Sequence, residues 1–497
     1  MAELRLGDVP AYHAARLGPD RWCLAHGGET IGWGELERRA TRRAWALRAQ
    51  GVGQDDVVVL ALPNCNALYE LTFALWKLGA TPAVVSARLP LHELKAIIEL
   101  AAPRAVIAAD AQIITATGAL GADFGREFAR DEAMPAAVAK YWKIMTSGGS
   151  TGRPKLIVAR RNSVFASDYA VLGLPADKAI LNPGPCHHNM PFAMTHLGLL
   201  KGNAIAGMAK FDPEEALQLI ARHKVAWVNF VPTMMNRIAR LPADIRERHD
   251  LSSLEAVWHT ASPMAPQLKQ AWIDWLGPER ICEIYGGTEG AGTTTLNGRE
   301  WLAHRGSVGK PSPGCEVRIL DEDGNPLGPR SVGEIFMRIA GGGENVYHYV
   351  GAERRKTPDG FESLGDFGWV DEDGYLYLAG RRTDLILVGG ANVYPAEIEA
   401  ALIEHPGVET AVVIGLPDDD MGELPHALIN RNPRLPVEAS AEELGAFLET
   451  RLARYKLPRS FEFVADPLRD DAGKVRRSRL REERLADVGV QQEKGRR

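Results

Sequence analysis

Apolar positions along this chain recur with two periods, one helical and one extended. Residues 33–51 carry the helical period and stop at Gly51, which predicts an amphipathic helix. The β-branched run DVVVLAL (56–62), bounded by Gly53 and Pro63, predicts a buried strand. TFALWKLGA (72–80) returns to the helical period and ends on a glycine. A strand at 81–87, a helix at 91–101 and a strand at 105–110 follow. Strands alternating with helices predict a parallel sheet covered by helices. A second series repeats the theme, with AILNPGP as a strand, 214–223 as a helix and 225–232 as a strand.

The texture changes after about Gly298. Turn signals at Pro313-Gly314, Asp323-Gly324 and Ser331 to Gly333 separate short alternating runs, which predicts an antiparallel β subdomain. From about residue 384 a strand pair, a helix started by Pro395 and the strand VETAVVIGLP form a further small α/β unit. The expected class is therefore α/β, with a large domain at 1–380, a linker near Gly380 to Thr383 and a small domain at 384–497.

Composition narrows the picture further. A chain of 497 residues is too long for one hydrophobic core. Apolar residues at 45% and charged residues at 25% fit an ordinary globular protein, and the net charge of −6 gives no nucleic-acid footprint. The five cysteines are scattered with no CxxC pair, which argues for reduced thiols and a cytoplasmic setting. No signal-peptide core and no run long enough for a membrane span occurs. The charged tail from Arg476 reads as a solvated, frayed end.

Four segments carry candidate chemistry. Thr146-Ser147-Gly148-Gly149-Ser150-Thr151-Gly152-Arg153-Pro154-Lys155 follows the predicted strand WKIM. Its glycines let backbone N–H groups approach an anion, and its hydroxyls and terminal lysine suit a polyphosphate. It is not a Walker A loop, because Arg153 and Pro154 separate Gly152 from Lys155. Alone it reads equally as a flexible surface turn. Tyr285-Gly286-Gly287-Thr288-Glu289-Gly290 offers a ring face for a base and a carboxylate for Mg²⁺, or else a plain β-turn. Asp366 and Arg381 could hold a ribose and a phosphate, or be ordinary loop residues. Gly473-Lys474 is by itself only one basic residue among 58.

Together, TSGGSTGRPK, YGGTEG, SLGDFGWVDEDGYLYLAGRRTDLI, VGGANVYPAEIE and GKVRRSRL resemble, in order and spacing, the motifs of one superfamily. It comprises acyl-CoA synthetases, peptide-synthetase adenylation domains and luciferases, and the resemblance spans nearly the whole chain. It implies ATP and Mg²⁺ as cofactors and a mobile C-terminal domain. Thr146 to Lys155 would grip the β- and γ-phosphates. Thr260, Ala261 and Ser262 would border the adenine, Tyr285 and Gly286 would lie against it, and Thr288 would touch the α-phosphate. Glu289 would bind Mg²⁺, Asp366 the ribose, and Arg381 ribose or phosphate. Lys474 would reach the acid and the α-phosphate. His188, Phe192, Trp227, His259 and Gly287 would shape the acid pocket. Gly389-Gly390 would serve the CoA-side loop, and Thr383 would be the hinge, where the family more often has Asp or Lys.

The implied reaction is activation of a carboxylic acid as an acyl-AMP, followed by transfer to coenzyme A. The subfamily flavour is that of bacterial ligases for bile, aryl or fatty acids. Two other readings stay open. One is an adenylating enzyme that passes the acyl group to a carrier protein or an amine, or a diazotase that adenylates nitrite. The other is a non-catalytic nucleotide-binding module, against which the intact Lys155, Glu289, Asp366, Arg381 and Lys474 argue. The sequence is compatible with a monomer or a homodimer.

Overall fold

The computed structural model describes residues 3–148, 154–340, 346–418, 420–433, 439–470 and 473–494. The first alternating series folds as expected. Val57–Ala61, Thr81–Val84, Ala105–Ala108 and Ile144–Gly148 pair in parallel within a seven-stranded sheet. At one edge Pro154–Ala159 and Tyr347–Val350 join antiparallel.

The second series makes a larger sheet. Trp22–His26, Ala204–Gly207, Ala179–Asn182, Val225–Phe230, Ala256–His259 and Ile281–Gly286 run parallel. Thr293–Asn297 and Ser307–Pro311 then reverse direction and lead into Leu376–Arg381, Glu362–Val370, Gly333–Ile339 and Cys315–Leu320. The antiparallel region is thus hydrogen-bonded to the second parallel series as one fourteen-stranded sheet. The C-terminal unit has its own five-stranded sheet and its own core around Ile398, Val413, Ala427 and Leu444.

Helix Asn66–Leu78 begins six residues before the predicted 72–80 segment. Glu70 obscured the pattern, because a carboxylate interrupts an apolar face. It is buried beside Arg43, whose Nε donates to it at 2.8 Å, while Arg43 Nη1 donates to the carbonyls of Ala122 and Phe124, each at 2.8 Å. A buried charge is tolerated when it is paired and hydrogen-bonded in this way. The strand expected over 225–232 ends at Phe230, and Pro232 starts the helix Pro232–Ala239, where its missing N–H costs nothing.

The charged tail is not a frayed end at its start. Helix Arg477–Lys494 is tied down by Arg477 to Asp384 at 2.9 Å, Arg481 to Glu423 at 2.6 Å and Arg484 to Glu462 at 2.7 Å. All five cysteines are free thiols. Among the described residues no helix is long and apolar enough to cross a membrane.

Candidate active site

A cleft of about 2760 Å³ opens where the two large sheets face the C-terminal unit. It lies beyond the carboxyl ends of parallel strands, where open α/β sheets bind ligands. Thr146, Lys155, His188, Thr260, Ala261, Ser262, Tyr285, Gly286, Gly287, Thr288, Glu289, Asp366, Arg381, Thr383 and Lys474 all border it. Ala261 holds a φ of +80°, a strained value for a residue with a Cβ and one that recurs at ligand sites.

Asp366 and Arg381, which taken alone could have been ordinary loop residues, stand in paired strands. They are direct cross-strand partners between Glu362–Val370 and Leu376–Arg381. Arg381 Nε donates to Asp366 Oδ1 at 2.9 Å, and the Tyr285 hydroxyl donates to Oδ2 at 2.8 Å. Both carboxylate oxygens are therefore oriented before any ligand arrives. Burial pushes the Tyr285 phenol well above its ordinary range, with the Asp366 charge adding to the effect, so it stays a donor.

A second cluster joins the two sheets. Lys155, on Pro154–Ala159, lies 3.6 Å from Glu289 Oε1, in the turn after Ile281–Gly286. Tyr349 donates to the same oxygen at 2.5 Å, and the Lys155 ammonium lies 4.0 Å from the Tyr349 ring centroid. Tyr349 had no sequence signal: it reaches the site only because Tyr347–Val350 pairs with the strand that carries Lys155. A Cβ at Gly287 would come within 2.5 Å of both Glu289 Oε2 and Leu364, so a larger residue would push the carboxylate away. Among the described residues no group of three or more His, Cys, Asp or Glu could hold a metal by itself. One carboxylate is what Mg²⁺ needs when phosphate oxygens and water complete its shell.

Lys474 comes from the C-terminal unit. A tight turn sets it: Asp470 N–H donates to the Lys474 carbonyl at 2.9 Å, and Lys474 N–H to Asp470 Oδ1 at 2.8 Å. Arg469 secures the turn through the Gly473 carbonyl at 3.1 Å and Glu399 at 2.9 Å. Gly473 has a φ of +74°, and a Cβ there would lie 3.5 Å from Thr233 and 3.6 Å from Ser262. The turn thus rests on the large unit. Burial lowers the Lys474 pKa, Asp470 and Glu289 oppose that shift, and Arg381 adds to it. His188 feels the charges of His187 and Lys474, but burial is the main reason its imidazole is pushed down to about 2. Its Nε2 is buried without a hydrogen-bond partner among the described residues.

The structure does not gather every expected residue. Phe192, Trp227 and His259 are almost fully buried and do not border the cleft. The Phe192 ring packs tilted against His196, Trp227 donates to the Leu172 carbonyl at 2.9 Å, and His259 lies 3.6 Å from Glu283. Phe192 and Trp227 sit in the hydrophobic core, where apolar character could not distinguish a pocket wall from packing, and His259 is a fully buried polar side chain. Gly389 and Gly390 turn a hairpin away from the cleft, with φ of +55° and +83°. Ser147 and Gly148 end the strand Ile144–Gly148, with Ser147 opposite Lys155. Gly149, Ser150, Thr151 and Gly152 lie outside the described residues.

The sequence profile described as AMP-binding enzyme matches residues 11–344, and that described as AMP-binding enzyme C-terminal domain matches 397–474. A feruloyl-CoA synthase from an Amycolatopsis species is 33% identical, over 96% of this chain and 98% of its own. The o-succinylbenzoate CoA synthetase of Bacillus subtilis, solved with an acyl-adenylate intermediate, superposes with a TM-score of 0.81 at 26% identity, over 97% of this chain and 98% of its own. The same enzyme solved with ATP and magnesium ion gives 0.79 at 26% identity, over 96% and 100%.

Proposed function

This chain belongs to the AMP-binding enzyme family and is an adenylate-forming ligase, and from that premise we propose that it joins a carboxylic acid to coenzyme A at the expense of ATP. The observation that carries the reading is the seating of Lys474, from the C-terminal unit, in the cleft that holds the Tyr285–Asp366–Arg381 cluster.

In the first half-reaction a carboxylate oxygen attacks the α-phosphorus of ATP. The bond to the bridging oxygen breaks, and pyrophosphate leaves with that electron pair. Both reactants are anions, so the site must align them and neutralise their charge. Asp366 accepts the ribose hydroxyls, with its oxygens held by Tyr285 and Arg381. Lys155 and the N–H groups of its loop take the terminal phosphates, and Lys474 takes the charge that builds between acid and α-phosphate. Glu289, steadied by Tyr349, would hold Mg²⁺, which when bound supplies further positive charge to the phosphates. No protein nucleophile is required.

In the second half-reaction the CoA thiolate attacks the acyl carbon, and AMP leaves to give the thioester. The small domain, 384–497, turns about a hinge at 381–383 centred on Thr383, withdrawing Lys474 and bringing Gly389-Gly390 inward. Thr383 lies in the short turn Arg382–Asp384, exposed and directly after the strand that carries Arg381. Pyrophosphate exchange across a panel of aryl, bile and fatty acids, with product analysis with and without CoA, tests the reading. Exchange followed by CoA-dependent thioester release is expected. Adenylate that never reacts with CoA would move the acceptor to a carrier protein or an amine. Turnover only with nitrite and an aryl amine would make the enzyme a diazotase.

A further inference from the structure

Lys143 stands just before the strand Ile144–Gly148 and is 6% exposed. Its ammonium donates to the side-chain oxygen of Asn189 and lies 4.5 Å from the Trp142 ring centroid. Other buried cations here face carboxylates: Arg43 faces Glu70 at 2.7 Å, and Lys269 faces Glu283 at 2.5 Å. Among the described residues no carboxylate offsets the burial of Lys143, and burial alone pushes it down to about 7. A buried ammonium served by one amide and one ring is costly, and a methionine would fill the space without that cost. Lys143, Trp142 and Asn189 all border the cleft. Asn189 directly follows His188, the residue that senses Lys474, and adjacent Cα atoms are about 3.8 Å apart. The unmatched cation therefore borders the same cleft as His188 and Lys474.

We propose that Lys143 is a specificity residue that binds a second anionic group on the acid, whose reacting carboxylate lies on the His188–Lys474 side. The substrate class is then an acid with two anionic groups, only one of which is adenylated. This rests on the acid-activating reading of the same cleft. A lysine is a compact point charge without the fork of an arginine, so it favours an anion over a neutral isostere without demanding bidentate geometry.

The test uses acids matched in skeleton and differing in one carboxylate, such as benzoate with isophthalate, phenylacetate with carboxyphenylacetate, and hexanoate with adipate. The readout is the ratio of kcat/KM for pyrophosphate exchange, dicarboxylate over monocarboxylate. In the parent enzyme at least one pair should favour the dicarboxylate by about tenfold or more, the scale of a charge-assisted hydrogen bond. Lys143→Met should collapse that ratio, and its remaining exchange with the monocarboxylate reports that the variant is folded. A ratio near one in every pair, or a ratio that Lys143→Met leaves intact, overturns the proposal while the acid-activating reading stands. A Lys143→Met protein inactive with every acid is replaced by Lys143→Gln, read by the same ratio. Parent enzyme that exchanges pyrophosphate with no acid overturns both.

Discussion

Lys155 and Glu289 face each other across 3.6 Å, although one belongs to the seven-stranded sheet and the other follows a strand of the fourteen-stranded sheet. The pairing sets a cation and a carboxylate where phosphates and a divalent ion would meet, so the two sheets must keep their relation for the site to exist. Glu289→Gln should keep the fold, because it removes charge without volume, and should raise the Mg²⁺ concentration needed for adenylation. Tyr349→Phe should weaken the same dependence less, since one hydrogen bond is worth about 1 kcal/mol. Magnesium titrations of adenylate formation check both. Wild-type curves for Glu289→Gln would remove it from the metal site.

Asp366 is an acceptor already aimed by Arg381 and Tyr285. Asp366→Ala should raise the ATP requirement about tenfold or more, on the scale of roughly 1.5–3 kcal/mol for a hydrogen bond to a charged group. It should also narrow the discrimination between ATP and 2′-deoxy-ATP. Steady-state kinetics with both nucleotides decide the matter, and unchanged discrimination would take Asp366 out of the ribose site.

Lys474→Ala should separate the half-reactions. Losing one preorganised donor to developing charge typically costs on the order of 10²–10³ in rate. The variant should therefore fail at pyrophosphate exchange and still convert supplied acyl-AMP and CoA to thioester. Both reactions are measured on one folded preparation. Equal loss in both would sink the alternation of the small domain, and full exchange would sink the role of Lys474.

Lys143 makes stability depend on pH in a definite direction. Its folded pKa, pushed down to about 7, lies below the ordinary lysine value, so between those values the unfolded chain binds the extra proton. Stability should then rise with pH above about 7 from this group, and the cost is greatest below it, where both states are charged. Lys143→Met should raise the melting temperature more at pH 6 than at pH 10. The gain at pH 6 is on the order of 1–4 kcal/mol, the range seen when buried ionic groups are replaced by apolar ones. Thermal unfolding at the two pH values checks it, and a uniform shift would contradict the assignment.

Alternation of short apolar runs was enough to read the parallel sheets and the separate C-terminal unit, because strand and helix periods are local properties of the chain. TSGGSTGRPK, YGGTEG and Gly473-Lys474 could be marked as candidates only through their joint order and spacing, because each alone fits an ordinary turn or a lone basic residue. Tertiary structure decided what depends on pairing across distance. It placed Asp366 and Arg381 in register on adjacent strands, brought Tyr349 to Glu289, and buried Phe192, Trp227 and His259. An apolar side chain satisfies core and pocket equally well in sequence, and only the packing of one sheet against the other separates the two. The start of helix Asn66–Leu78 and the docking of the charged tail were hidden in the same way. Glu70 and Arg477 look solvated until their partners Arg43 and Glu399 arrive from elsewhere in the chain.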